Sequence, residues 1–146
     1  CNAIQLNLVY PSPDIFKTLK TDYKLTTIFQ IEKSMFEDPV KMKEKMQPYV
    51  GVVDYVIIDQ SMGAGILLEP CVSGVVASKM KELGFGIVIA GGLNSSVVWE
   101  ISDLIRDFDA SVDAEGQLMK GWKEGLDYKK IADYVRAAVS VLHQND

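Results

Sequence analysis

GIVIAGGLNSSVV, residues 86–98, carries an apolar strand pattern into a glycine pair and then into a helical pattern. Five apolar or small residues in a row read as a strand buried on both faces, as in a parallel sheet, rather than one that alternates toward water. Gly91 and Gly92 remove side chains where the chain turns, and Asn94, Ser95 and Ser96 place oxygen acceptors at a helix start. Two readings of this corner stand together. It is a tight strand-to-helix turn capped by Asn94 or Ser95, and it is a place where unshielded main-chain N–H groups and a helix N-terminus suit a phosphate.

The same alternation extends to both sides. Residues 3–9 alternate as a half-buried strand before Pro11-Ser12-Pro13 starts a short helix with Ser12 as N-cap. Residues 25–31 are β-branched and aromatic, a second strand. Asp38-Pro39 repeats the cap-then-proline signal ahead of a helix ending near Pro48. A third strand over 54–58 leads to a glycine-spaced loop, and a helix over about 72–83 is closed by Gly84. Beyond residues 86–90, a helix is expected over 96–108, a fifth strand over 110–114 and a last helix over 127–143. That last helix places Ile131, Tyr134, Val135, Ala138 and Val139 on one face.

Five strands alternating with five helices predict a parallel α/β sheet with right-handed crossovers, in one domain spanning residues 1–146. Periodicity leaves closure open. Five βα units suit an open, doubly wound, flavodoxin-like sheet, whereas a closed (β/α)8 barrel runs to about 250 residues.

A formal net charge of -5 excludes the basic surface that nucleic acid or an anionic membrane requires, so neither is expected as a partner. Two cysteines and one histidine make neither a disulfide framework nor a metal-ligand set, so no metal or cofactor is expected and the compartment reads as reducing and cytoplasmic. No signal peptide and no apolar run of about 18 residues is visible. The chain opens on Cys1 and enters a strand pattern at once, which reads as a chain cut into.

In parallel α/β folds, ligands gather at the carboxyl ends of the strands. The residues there are Asn7, 30–32, 59–65, 91–96 and 113–116. Asp59 closes an apolar strand end that would strip water from its carboxyl, the setting a general acid uses; the alternative is a carboxylate capping the next turn. Asp113 carries the same two readings, and Glu115 either meets substrate or points into water. Met35, Met42, Met46, Trp99 and Trp122 are expected as packing residues, and Cys71 as a small buried one. His143, in a final helical turn, is expected to be solvated.

Taken in order, QL at 5–6, VIIDQSMGAG, VIAGGLN, SVDAEG and GLDYKKIADYVRAA resemble the C-terminal five units of the phosphoribosylanthranilate isomerases, (β/α)8 enzymes of tryptophan biosynthesis. The likeness covers most of this chain and about five-eighths of the family's barrel. It implies a cofactor-free Amadori rearrangement of a phosphorylated aminoaldose. By position, Asp59 would protonate the sugar ring oxygen, and Gly91, Gly92 and Asn94 would hold the phosphate together with Ala114, Glu115 and Gly116. Asp113 would face the substrate.

The resemblance also implies that the family's first strands are missing, to be supplied by further residues or by another copy in a homo-oligomer. With them goes the family's general base, a cysteine ending the first strand; Cys1 precedes the unit matching strand four and is not that residue by position. Ala114-Glu115-Gly116 stands where the family has Ser-Ser-Gly, and Asn7-Leu8 where it has His-Gly. These departures motivate a second expectation, a relative that has lost the reaction and serves as a phosphate-ligand binding or assembly protein.

Overall fold

The computed structural model describes residues 2–7, 10–31, 36–59, 69–121 and 124–143. Five strands form one parallel sheet: β1 (Ala3–Leu6), β2 (Thr26–Gln30), β3 (Tyr55–Asp59), β4 (Gly86–Ala90) and β5 (Ser111–Val112). Helices follow as α1 (Pro13–Thr21), α2 (Pro39–Met46), α3 (Pro70–Glu82), α4 (Ser95–Glu100), α5 (Ser102–Asp107) and α6 (Tyr128–Leu142). The continuous apolar runs at β3 and β4 are buried on both faces, as expected. Val56, Ile58, Ile87 and Ile89 join the main core beneath the helices, while Ile57, Val88 and Ala90 form a second cluster with Ile28 on the opposite face.

Strand order in space is β1-β2-β3-β4-β5, every pair parallel. A flavodoxin-like sheet is ordered 2-1-3-4-5, with a reversal after its first strand. The observed order has no reversal, which corrects that alternative: the sheet is open, but it winds in one sense, as consecutive strands of a (β/α)8 barrel do.

Local chemistry explains where the helices begin and end. Ser12 accepts from the Asp14 N–H at 3.3 Å, and Asp38 accepts from those of Val40 and Lys41 at 3.2 and 3.1 Å. Helix α3 closes on Gly84 at φ +90°, with Phe85 N–H bonded to the Met80 carbonyl and Gly84 N–H to that of Lys81, the paired bonds of a Schellman ending. Met42 and Met46 are fully buried, as expected; Met35 and Trp122 lie outside the described residues.

Several expectations are corrected. Cys71 is exposed, because α3 turns Ser73, Val76, Ala77 and Met80 inward and Cys71 shares the opposite face with the exposed Val75. The single helix expected over 96–108 bends at Ile101 into α4 and α5, although Val97, Val98, Ile101 and Ile105 stay buried across the bend. Trp99 is 45% exposed on the outer side, about half a turn from that buried stripe. On α6 the buried seam is Tyr134, Ala137, Ala138 and Val141, leaving Val135 and Val139 half-exposed. Strand five is two residues long, and a short antiparallel pair, β6 (Met119–Gly121) with β7 (Gly125–Leu126), precedes α6.

One seat in the sheet is set by a missing side chain. The Tyr55 ring lies over Gly86 on the neighbouring strand, where an added Cβ would fall 2.3 Å from a ring carbon.

Candidate functional site

The register builds the site. Asp59 pairs with Ala90 across β3 and β4, so the carboxylate-bearing end of one strand meets the residue before Gly91 on the next. On the far side, the Asp113 N–H donates to the Ile89 carbonyl at 2.9 Å, placing Asp113 beside Ala90. Strand alternation then decides the faces. Ile58, Val112 and Ala114 pack toward the main core, so Asp59 and Asp113 belong to the opposite face, with Ile57 and Val88. Asp59, the glycine pair and Asp113 therefore share the carboxyl edge of three adjacent strands.

Asp59 is buried at 7% exposure, and the Gln30 side-chain amide donates to its Oδ2 at 3.2 Å. Asp113 is an exposed residue, but its carboxyl is pushed above the usual carboxylate range. Partial desolvation is the largest cause, followed by the negative charges of Glu115 and Asp59; a hydrogen bond from the Ala114 N–H opposes them. Asp113 thus feels two other carboxylates at one rim. The Tyr134 hydroxyl is buried with no hydrogen-bond partner among the described residues, and burial together with the Asp113 charge holds it well above the ordinary tyrosine value.

Gly91 and Gly92 sit at φ +102° and +65°, in the left-handed region where side chains are disfavoured, while Leu93 is buried and pins the turn to the core. Asn94 is the N-cap of α4. Its Oδ1 accepts from the N–H groups of Ser96 and Val97 at 2.9 and 3.1 Å and from the Ser96 hydroxyl at 2.7 Å. The cap reading of this corner therefore holds, and those two helix donors are engaged within the chain. A ligand here would draw on the backbone of the glycine turn itself.

Ala114 packs partly against the core. Glu115 is exposed, and Gly116 opens a 3-10 turn (Gly116–Leu118) with open space where its Cβ would be. Among the described residues, no group of three or more His, Cys, Asp and Glu side chains could hold a metal ion, and no helix is long and apolar enough to cross a membrane. His143 is exposed at the end of α6.

Sequence reasoning passed over Gln30 as a side chain with a role. The signal was there: Gln30 pairs with Ile57, so a period of two sets it on the same face as Asp59, one diagonal step away.

No family model matches the chain. It is 28% identical over 135 residues to the N-(5'-phosphoribosyl)anthranilate isomerase of Pyrococcus furiosus, a match covering 89% of this chain and 60% of that enzyme. It is 32% identical over 85 residues to the enzyme of the same name from Methanococcus vannielii, covering 58% of this chain and 38% of that enzyme. The chain thus spans less than two-thirds of the length of either relative. Both matches support the family resemblance carried by the strand ends, and the one-way winding of the sheet fits that family's barrel.

Proposed function

We propose that this chain forms the carboxyl-terminal part of a phosphoribosylanthranilate isomerase barrel, with Asp59 as the general acid. The observation that carries this reading is the register: the buried Asp59 carboxyl and the Gly91–Gly92 turn stand side by side at the carboxyl edge, with Asp113 next in line. Closing an eight-stranded barrel around them takes three further βα units, eight less the five present, from the same polypeptide or from another copy.

In the proposed reaction, Asp59 gives its proton to the ring oxygen of the phosphorylated aminoaldose. The C1–O bond breaks as the amine nitrogen lone pair forms a C=N bond. A base then removes the proton on C2, and the resulting enolamine tautomerises to the aminoketose. That base belongs to the missing units. The backbone N–H groups of Gly91 and Gly92, with the 114–116 loop, would hold the phosphate, and the apolar Ile57, Val88 and Ala90 share the face of the sheet that carries Asp59.

The test is turnover of phosphoribosylanthranilate by the full-length protein and its Asp59→Asn variant. A loss of about 100-fold or more in kcat is expected; an Asp59→Asn enzyme as fast as the parent would overturn the assignment.

A second reading has its own observation. Asp113 and Glu115 place negative charge at the rim where an anion would sit, which favours a relative that binds phosphate ligands weakly and has lost the reaction. Calorimetry with a ribose phosphate separates the two: binding without turnover supports this second reading, and turnover removes it.

A further inference from the structure

We propose that Gln30 is the positioning residue for Asp59, its side-chain amide holding carboxylate Oδ2 and so fixing the plane of the carboxyl. This rests on the reading of Asp59 as the proton donor. The two side chains stand on adjacent parallel strands, on the face turned away from the helices, and both are more than nine-tenths buried. Their contact is 3.2 Å from Nε2 to Oδ2. The amide nitrogen, a donor, faces Oδ2, which can accept from it whether the carboxyl is ionised or carries a proton on its other oxygen.

Chemistry explains why an amide suits this place. A lysine or arginine would ion-pair Asp59 and hold it ionised, whereas the neutral amide fixes the carboxyl without adding a charge that opposes protonation. The terminal torsion of an aspartate is broad, so an unheld carboxyl samples several orientations of its two oxygens. With Oδ2 held by Gln30, the orientation of the carboxyl is set before substrate arrives. Gln30 and Asp59 each have further contacts, so the amide is one support among several. A fractional effect follows: smaller than removing Asp59, and confined to the chemical step.

Two measurements test this on the full-length protein. In steady-state kinetics with phosphoribosylanthranilate, Gln30→Leu is expected to lower kcat about 10-fold while KM stays within about 2-fold. Gln30→Asn, which keeps the amide but shortens its reach, should fall between parent and Gln30→Leu. An unchanged kcat in Gln30→Leu, or a change in KM alone, overturns the proposal while leaving Asp59 as the acid. The second measurement is the side-chain amide signal of Gln30 in a ¹⁵N–¹H spectrum of the parent and of Asp59→Ala, which removes the acceptor. A shift of one amide proton supports the contact, and an unmoved signal overturns it. Because this spectrum needs no turnover, an inactive protein would count against the isomerase reading alone, and the Gln30–Asp59 pairing would still be decided.

Discussion

The two ends of the sheet treat their carboxylates in opposite ways. At the amino edge, Asp54 precedes β3 and is enclosed by cationic and neutral donors. Lys20 Nζ lies 2.6 Å from its Oδ1, and the Thr27 N–H and hydroxyl reach its Oδ2 at 2.9 and 3.1 Å. Burial acts to raise its pKa, but the Lys20 and Thr27 hydrogen bonds together outweigh burial and hold it below the usual range. At the carboxyl edge, Asp59, Asp113 and Glu115 stand together, and Asp113 is driven the other way. A cavity of about 450 Å³ also opens at the amino edge, lined by Asp54, Tyr55, Lys81, Gly86, Asp109 and Ser111. One edge has its charges matched for stability. At the other, partial burial and neighbouring carboxylates push the Asp113 pKa upward.

That contrast can be broken by experiment. The largest expected effect is at the amino edge: Asp54→Ala removes the acceptor of the Thr27 N–H and of Lys20, and should lower stability by about 2–3 kcal/mol in chemical denaturation. Asp59→Asn keeps shape and hydrogen-bonding capacity and should cost under about 1 kcal/mol. The reverse ranking would dissolve the distinction between the edges. Next come Gly91→Ala and Gly92→Ala, each expected to cost about 1–2 kcal/mol because their positive φ angles penalise a Cβ. Gly116→Ala, which meets open space, should stay within about 0.5 kcal/mol.

The pH dependence should carry opposite signs at the two edges. Asp54 has a depressed folded pKa, so its contribution is present above the ordinary aspartate value and is lost as pH falls through the folded one. Asp113 has a raised folded pKa, so its contribution is present below the ordinary value and is lost as pH rises through the folded one. Asp113→Asn should therefore stabilise the protein near neutral pH, by roughly 0.3 kcal/mol given its exposure, and the gain should vanish in acid. Thermal unfolding at pH 7 and near pH 3 reads both signs. The smallest effect is expected at Cys71→Ser, within about 0.5 kcal/mol either way, because that residue faces solvent.

What was legible in the sequence was what neighbouring residues decide. The caps at Ser12, Asp38 and Asn94 are local hydrogen bonds, and the two-faced burial of β3 and β4 follows from their unbroken apolar runs. Strand order was not legible in periodicity, since it depends on which edges meet in space; the family resemblance implied the consecutive order found. Asp54 was taken into the third strand, and its clamp escaped notice because Lys20 and Thr27 lie 34 and 27 residues away along the chain. The β6–β7 pair was missed because each piece is too short to show a period. Trp99 and Val139 were misplaced for a different reason: hydrophobicity says that a side chain prefers burial, while the angle about the helix axis decides whether it gets it. At the candidate site, the residue types were visible one by one. The pairing of Gln30 with Asp59 needed the register.

The Tyr55 ring resting on Gly86 ties two positions on different strands into a single choice. A side chain at 86 takes the space the ring now fills, so sites 55 and 86 should drift as a couple. An alanine at 86 would fit beside a serine or valine at 55, and beside tyrosine it would turn the exposed ring off the neighbouring strand.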